Sequence, residues 1–324
     1  MKAFDYAIAS NESGALAALE RGYRPKASGI DLLDLLKERT AAPDSLVSIA
    51  DIATLKGIRE EDGGIAIGAL ATLEETGAHA GIRKHFHALA EAAAEAATPQ
   101  IRARATVGGN ICQRPRCWYF RSADFNCLKK GGPTCYAVEG ENSFHAVFGN
   151  GPCHITHPSN IAPALVAFGA EIVTVAPEDG GRTIRAADFF MLPEDGGIMK
   201  ENVLKKDELV TEIRLPAAVA GQKSGYVELR EKQSFDWPLV SCVAAFNGTK
   251  WTIVLGHVAP TPWRAKGSES LLGKAAAITP EIAEKAAAAS DRGAKPMSQN
   301  AWRLKLVRAA VRRALLLADG KEID

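Results

Sequence analysis

Residues 113–157 form a long stretch, rich in Pro, Gly, Cys and aromatic residues, that keeps no period of 2 or 3.6 residues. A segment of that length without regular structure is uncommon inside a compact domain unless it has a function. Five of the six cysteines of the chain lie between positions 112 and 153. This concentration predicts a metal- or cluster-binding insert at about residues 112–157, with disulfides and unpaired thiols as the alternatives.

The start of the chain lacks the apolar core and the small-residue cleavage site of a signal peptide. No apolar run reaches the length of a membrane span. We therefore expect no direct membrane insertion and no export signal of the chain's own, which favours metal-bound thiols over disulfides. The expected location is the cytoplasm, or the periplasm if a signal-bearing partner subunit is exported with the chain.

Composition and charge describe an ordinary globular protein. The hydrophobic fraction is 47% and the charged fraction 24%, and 324 residues are enough for two or three compact units. A formal net charge of +1 gives no electrostatic bias towards nucleic acid, so no nucleic-acid partner is predicted. In the last predicted helix, Arg303, Arg308 and Arg312 are interpreted as a solvated face.

Strand-like and helix-like segments alternate along the rest of the chain, which predicts an α+β fold. The predicted helices are residues 13–21, 32–38, 82–97, 162–168, 280–289 and 299–318. The predicted strands are residues 46–49, 65–70, 171–175, 209–215, 241–246 and 252–255, with a linker at 217–224. We divide the chain into residues 1–55, residues 56–220 with the insert, and a C-terminal α+β domain at residues 221–324.

Two turns of small residues precede apolar segments outside the insert. The first loop, residues 26–33, reads Lys-Ala-Ser-Gly-Ile-Asp-Leu-Leu, and the second loop, residues 105–111, reads Ala-Thr-Val-Gly-Gly-Asn-Ile. Small residues let backbone amides approach a phosphate, and a helix N-terminus adds its dipole. Taken alone, the first loop also fits a simple connection, and the second a Gly-Gly hairpin turn or bulge.

The order and separation of these loops resemble the FAD-binding medium subunits of the xanthine dehydrogenase and carbon monoxide dehydrogenase family of molybdenum hydroxylases. The second loop matches the family pattern A-T-x-G-G-N-I fully, whereas the first departs from A-G-G-T-D-L at Ser28 and Ile30. The chain also resembles the family at residues 158–165, 188–190, 204–216 and 255–264, so the resemblance covers nearly the whole chain. It implies a two-part FAD-binding domain like that of xanthine dehydrogenase and vanillyl-alcohol oxidase, followed by the C-terminal α+β domain.

The resemblance also implies which residues contact FAD. The first loop would wrap the pyrophosphate, the second would contact pyrophosphate and ribityl, and Leu204 would pack near the flavin ring. Asn160 stands where the family usually has Asp, and its amide still offers hydrogen bonds. The implied FAD contacts are Lys26, Ala27, Ser28, Gly29, Ile30, Asp31, Leu32, Thr106, Gly108, Gly109, Asn110, Asn160 and Leu204.

The insert is similar to the cluster-bearing insert of two groups in that family, the FAD subunits of periplasmic aldehyde oxidoreductase and the β subunits of 4-hydroxybenzoyl-CoA reductase. The similarity lies in residues 116–120 and 127–135. It implies a [4Fe–4S] cluster, although four thiolates at this spacing fit zinc as well. The implied ligands are Cys117, Cys127, Cys135 and Cys153.

The other cysteines and the nearby histidines have simpler interpretations. Cys112 and Cys242 are interpreted as small buried hydrophobic residues. His145, His154 and His157 lie inside or beside the insert and could replace a ligand. Because four cysteines already fill the site, we interpret these histidines as surface or hydrogen-bonding residues.

A chain that holds both FAD and an iron–sulfur cluster is suited to relaying electrons. It lacks the C-x4-C-x2-C run of a plant-type [2Fe–2S] domain and the length of a molybdopterin subunit, and no catalytic residue is predicted in it. The resemblance implies a molybdopterin-binding large subunit and a [2Fe–2S] small subunit, in a heterotrimer or a dimer of heterotrimers. The alternatives are a stand-alone FAD oxidoreductase with a structural zinc site and a cofactor-free assembly or binding module.

Overall fold

The computed structural model describes residues 1–219, 222–232 and 234–322. Within them the chain forms three separate sheets with helices packed against them, so the predicted mixture of helix and sheet is confirmed. No helix among these residues is both long and apolar enough to cross a bilayer.

The first sheet is parallel and has the strand order β1-β3-β2. Its strands are β1 (Asp5–Ile8), β2 (Arg24–Lys26) and β3 (Ser45–Ser48). Helices α1 (Glu12–Glu20) and α2 (Ile30–Lys37) connect them. Asn11 caps α1, its side chain accepting a hydrogen bond from the Gly14 amide, which satisfies one of the free donors of the first turn. The first loop therefore runs from the end of β2 into α2.

The second sheet is antiparallel and has the strand order β4-β5-β8-β6-β7. Its strands are β4 (Ile58–Glu61), β5 (Gly64–Gly68), β6 (Glu171–Val175), β7 (Thr183–Arg185) and β8 (Leu209–Leu215). Strands β5 and β8 are direct neighbours although far apart in sequence. The second loop and the insert therefore belong to one long excursion that starts at the end of β5 and returns to the same sheet at β6.

Short helices lie between β5 and β6, and one more lies between β7 and β8. They are α3 (Leu73–Ala78), α4 (Ala80–His85), α5 (His87–Ala94), α6 (Pro99–Arg102), α7 (Val107–Ile111), α8 (Trp118–Arg121), α9 (Ala162–Ala167) and α10 (Ala186–Phe189). The single helix predicted at residues 82–97 is wrong, because the chain breaks at Phe86, whose φ is −128°. The buried Phe86 ring packs edge-on against the Phe168 ring, with centroids 5.1 Å apart.

The third sheet is antiparallel and has the order β12-β11-β10-β9. Its strands are β9 (Gln222–Leu229), β10 (Val240–Asn247), β11 (Trp251–Gly256) and β12 (Trp263–Arg264), and its helices are α11 (Lys266–Leu272), α12 (Pro280–Ala288) and α13 (Arg303–Ala318). The linker predicted at 217–224 is partly wrong, since β9 begins at Gln222; residues 220 and 221 lie outside the described residues. The last helix begins four residues later than predicted.

Each sheet takes its strands from one of the three predicted domain ranges. The first lies within residues 1–55, the second within 56–220 and the third within 221–324. The division into domains stays a prediction, and its boundary at 220/221 falls outside the described residues.

The insert has little regular structure and is held mainly by side chains of other segments. It contains α8 and a 3-10 turn at Leu128–Lys130. Asp31 in α2 accepts hydrogen bonds from the Arg114 amide at 2.8 Å and from the guanidinium groups of Arg121, at 2.6 Å, and Arg116. One carboxylate thus ties the first loop to three positions of the insert.

A second buried charge cluster holds the middle of the insert. Lys129 is 2% exposed and pairs with Glu201 at 2.9 Å, while its ammonium also donates to the carbonyls of Gly197 and Ile198. Arg114 pairs with the same Glu201 at 3.1 Å. Buried charges are tolerated only when paired and hydrogen-bonded, so these contacts fix the insert against the chain that precedes β8.

The far end of the insert is tied to the start of α13. Asn142 and Gln299 exchange backbone-to-side-chain hydrogen bonds of 3.0 Å in both directions. Arg303 is 1% exposed, and its guanidinium donates to the carbonyls of four residues, Phe144, His145, Leu239 and His257. The prediction that Arg303 belongs to a solvated face is therefore wrong, although its neighbour Arg308 does lie at the surface.

Replacement of Asp31 by Asn should loosen the insert. The amide carries no charge for the guanidinium groups of Arg116 and Arg121, so we expect a loss of about 1–3 kcal/mol in the free energy of unfolding and faster protease cleavage within residues 117–153. Chemical denaturation and limited proteolysis measure the two effects. Asp51→Asn, at an exposed position, is the control. Equal protease resistance in both variants would contradict this role of Asp31.

Replacement of Arg303 by Met should destabilise the chain by about 3–5 kcal/mol, because the carbonyls of Phe144, Leu239 and His257 lose this donor, whereas the His145 carbonyl keeps its hydrogen bond from Asn300. Arg308→Met, on the same helix, removes an exposed ion pair to Asp291 and should cost less than about 1 kcal/mol. Thermal or denaturant unfolding of the two variants checks the difference. A similar loss in both would show that Arg303 contributes no more than a surface arginine.

Candidate cofactor sites

The larger cavity has a volume of about 360 Å³ and is lined by the first loop, the second loop and the start of β8. This volume lies in the range of small-molecule sites. All thirteen residues that the resemblance implies for FAD line it: Lys26, Ala27, Ser28, Gly29, Ile30, Asp31, Leu32, Thr106, Gly108, Gly109, Asn110, Asn160 and Leu204. The fold thus brings two loops about 80 residues apart, and the more distant Asn160 and Leu204, to one space.

The first loop presents a helix N-terminus to this cavity. Gly29 is the N-cap of α2, has a φ of +89° and provides no side-chain cap, so the first-turn amides of α2 have no side-chain partner there. A Cβ at Gly29 would lie 3.0 Å from the Leu33 Cγ, and L-residues rarely adopt this φ. Free amides at a helix N-terminus are suited to an anion such as a phosphate.

The second loop does not form the hairpin turn or bulge that was its alternative, because it opens α7. The Thr106 hydroxyl caps this helix by accepting a hydrogen bond from the Gly109 amide at 3.2 Å. A Cβ at Gly108 would lie 3.0 Å from the Ala69 carbonyl oxygen, so this glycine lets α7 approach the end of β5. Among the described residues, a Cβ at Gly109 would come close only to the Thr106 hydroxyl, at 2.9 Å. Of the two glycines, Gly109 is the one whose added side chain would not meet β5.

Two asparagines on the cavity wall are oriented by neighbours. Asn110 accepts a hydrogen bond from the Ser159 hydroxyl at 2.6 Å. The Asn160 amide donates to the Glu228 carboxylate at 3.1 Å. Glu228 is itself held by Tyr226 and Arg230, and burial raises its pKa. Glu228 is not among the residues that line the larger cavity.

The larger cavity is also lined by residues that sequence reasoning missed. Among them are Arg24, Arg116, Glu208 and Trp237. The Arg116 guanidinium lies 4.6 Å from the centre of the Trp237 ring, within cation–π distance. Arg116 directly precedes a predicted ligand cysteine, and this position in the sequence could have marked it as a site residue. Trp237 lies in an irregular connection and has no such signal.

A second, smaller space, the cysteine cavity, has a volume of about 10 Å³. All four predicted ligands line it: Cys117, Cys127, Cys135 and Cys153. His145 and His154 also line it, whereas His157 does not. Cys242 is buried in β10, as predicted, and Cys112 is half-buried on the wall of the larger cavity. None of the six cysteines, all of which the structure describes, forms a disulfide.

Hydrogen bonds converge on the sulfur atoms of the cysteine cavity. The Cys117 Sγ lies 3.3 Å from the His145 Nε2 and interacts with the backbone amides of residues 119 and 120. Contact with Cys153 lowers the pKa of Cys135 to about 6, assisted by the amides of residues 137, 138 and 154. The same contact and burial raise the pKa of Cys153. Burial raises the pKa of Cys117 to about 11.

Amide groups directed at sulfur are what a thiolate ligand needs in a cluster site, because they stabilise its negative charge. Backbone amides of this kind lie at Cys117, Cys135 and Cys153, where they would stabilise the charge of a thiolate. No group of three or more His, Cys, Asp or Glu side chains in residues 1–219, 222–232 and 234–322 has an arrangement that could hold a metal ion as it stands.

Comparison with known proteins identifies the family. Residues 2–218 match the family model described as "FAD binding domain in molybdopterin dehydrogenase". The chain is 31% identical to the aldehyde oxidoreductase FAD-binding subunit PaoB of Escherichia coli K12 over 326 aligned residues, which cover 99% of each chain. It is 32% identical to the carbon monoxide dehydrogenase medium chain of Hydrogenophaga pseudoflava, covering 82% of this chain and 76% of that one.

A solved structure agrees on the fold. The reconstituted CO dehydrogenase from Oligotropha carboxidovorans contains a chain that superposes with a TM-score of 0.76 at 24% identity, covering 99% of both chains. The sequence matches confirm the family that the two loops predicted, and the superposition confirms the fold. The chain therefore belongs to the family of FAD-binding medium subunits of the molybdenum hydroxylases, whose members are subunits of oxidoreductases.

Proposed function

We propose that the chain carries FAD in the larger cavity and a [4Fe–4S] cluster on the cysteine cavity, and relays electrons from a molybdenum subunit to an acceptor. The single observation that carries this proposal is that consecutive residues line the two spaces: Arg116 lies on the larger cavity and Cys117 on the cysteine cavity. When bound, FAD handles electron pairs and an iron–sulfur centre handles single electrons, so neighbouring sites suit a relay.

The chain's own residues bind and orient FAD. The uncapped first-turn amides of α2 would hold the pyrophosphate, and Thr106, Gly109 and Asn110 would continue this contact towards the ribityl chain. Asn160 would hydrogen-bond a polar group of the cofactor, since Glu228 already fixes its amide. Leu204 would pack near the flavin ring.

Cys117, Cys127, Cys135 and Cys153 are the proposed cluster ligands. Their convergence on one space across an irregular insert supports this, as do the amides directed at three of the sulfur atoms. Hydrogen bonds to the sulfur ligands and burial set the potential of such a centre. Zinc is the competing occupant, because four thiolates also suit it.

The proposed partners are a molybdopterin-binding large subunit and a [2Fe–2S] small subunit, in a heterotrimer or a dimer of heterotrimers. The names of the relatives support this, since they describe a "FAD-binding subunit" and a "medium chain". We place no catalytic residue in this chain, because substrate oxidation would occur on the molybdenum subunit. The proposed location is the cytoplasm, or the periplasm through an exported partner.

Replacement of Gly109 by Val should reduce retained FAD by roughly tenfold or more, equivalent to a loss of about 1.4 kcal/mol or more in binding. The new side chain would displace the Thr106 cap and occupy the wall of the larger cavity. Flavin absorbance per purified chain measures it. Gly151→Val is the control, because no atom of the described residues lies within 4 Å of its Cβ position. Stoichiometric FAD in Gly109→Val would contradict the proposed contact.

Replacement of any proposed ligand by Ala should lose the bound iron while FAD remains, because the two sites use different residues. The four test variants are Cys117→Ala, Cys127→Ala, Cys135→Ala and Cys153→Ala. Cys112→Ser and Cys242→Ser are the controls and should keep the iron. Iron and FAD are quantified in each purified variant.

Two outcomes of this cysteine series contradict the assignment. Loss of iron in Cys112→Ser with retention in Cys117→Ala shows that the ligand set is shifted by one cysteine. Full iron in all six variants shows that the iron lies elsewhere in the protein.

A further inference from the structure

A third cavity, of about 320 Å³, lies between the two proposed cofactor sites. It shares Arg116 and Trp237 with the larger cavity, and Cys117 and His145 with the cysteine cavity. Its volume is within the range of small-molecule sites. A ligand in it would therefore lie next to both cofactors, which is a position suited to an electron acceptor.

Aromatic rings form much of its wall. Trp118, Phe144 and Trp237 line the third cavity and are 38%, 42% and 49% exposed. The rings of Trp118 and Phe144 meet edge-on with centroids 6.0 Å apart. Exposed aromatic rings grouped around a concavity are unusual on a surface that contacts only water. Their faces and edges would pack well against a planar ring.

A buried imidazole with a free nitrogen also lines this cavity. His257 is 4% exposed, its Nδ1 lies 3.1 Å from the Ser241 hydroxyl, and its Nε2 has no hydrogen-bond partner among the residues that the structure describes. An unpaired buried polar atom is costly, so it calls for an explanation such as a ligand. Burial lowers the pKa of His257 to about 3, so the ring is neutral at ordinary pH. Depending on its tautomer, a neutral imidazole donates to a carbonyl or accepts from a hydroxyl.

The charges at the rim narrow the ligand class. Glu231 and Asp236 line the cavity and are exposed, whereas the two arginines that line it are engaged elsewhere. Arg116 contacts Asp31 and the Trp237 ring, and the buried Arg303 donates to four backbone carbonyls. Because the guanidinium groups are occupied in this way, the exposed carboxylates disfavour a ligand with several phosphates, such as a dinucleotide. An uncharged planar molecule avoids this repulsion.

We propose that the third cavity binds a quinone-type acceptor, with its ring among Trp118, Phe144 and Trp237 and one oxygen near His257. This proposal rests on the electron-relay function proposed above. The quinone takes two electrons, supplied through the bound flavin by substrate oxidation on the partner subunit, and two protons from water at the open rim. The product is the hydroquinone, whose hydroxyl suits the other tautomer of the same imidazole.

Binding is tested with duroquinone, whose fully methylated ring resists addition of thiols. Equilibrium dialysis of the full chain measures bound quinone, and FAD and iron are quantified in the same samples. Thr156→Phe places a ring inside the third cavity, and Phe144→Ala removes part of its wall. Thr249→Phe, at an exposed turn, is the matched control.

We expect saturable binding to the wild-type chain and to Thr249→Phe, binding weakened roughly tenfold or more in Thr156→Phe, and roughly three- to tenfold weaker binding in Phe144→Ala. Wild-type affinity in both cavity variants overturns the proposal. Absence of saturable binding to a wild-type chain that holds its FAD also overturns it, and would leave the aromatic rings as a contact surface for another subunit. Loss of FAD from the wild-type chain itself instead counts against the proposed function.

Discussion

The arrangement of both candidate sites depends on the carboxylate of Asp31. It stands in the first turn of α2, where the first loop meets the larger cavity, and it accepts hydrogen bonds from Arg114, Arg116 and Arg121 of the insert. Burial raises its pKa, and the neighbouring arginines oppose that rise. The loop proposed to hold a phosphate and the segment that carries Cys117 are therefore fixed to each other by a charge cluster that excludes much of the solvent. Any displacement of one should be felt by the other.

The insert itself obtains its order from charge pairing rather than from backbone periodicity. Lys129 lies between Cys127 and Cys135 in sequence and is buried against Glu201. Its positive charge also lowers the pKa of Cys153, opposing the burial of that thiol. A lysine in this position both anchors the chain and offsets the negative charge that thiolate ligands bring. This explains how a segment with one short helix and a 3-10 turn can bring four sulfur atoms to one space.

Local sequence patterns predicted the elements that are determined by residues of the same segment. They failed for the features that are determined by tertiary contacts. The strand ending before Pro216 has the predicted bounds, because an alternating apolar run and a proline both act within the segment. The break at Phe86 could not be read from its Ala-rich surroundings, because it depends on the ring of Phe168. The burial of Arg303 depends on carbonyls that are distant in sequence. The position of Trp237 depends on its contact with Arg116. The loop glycines were predicted because the same loop residues recur across a family. The third cavity has no such sequence pattern, so it was not predicted.

The proposed electron relay requires that one chain holds FAD and an iron–sulfur cluster side by side. Flavin, iron, sulfide and zinc can be quantified in the purified chain, together with its absorption spectrum. We expect about one FAD, four iron and four sulfide per chain, with flavin bands over a broad brown absorbance. Stoichiometric zinc without iron, or a colourless chain that takes up no flavin, would contradict it.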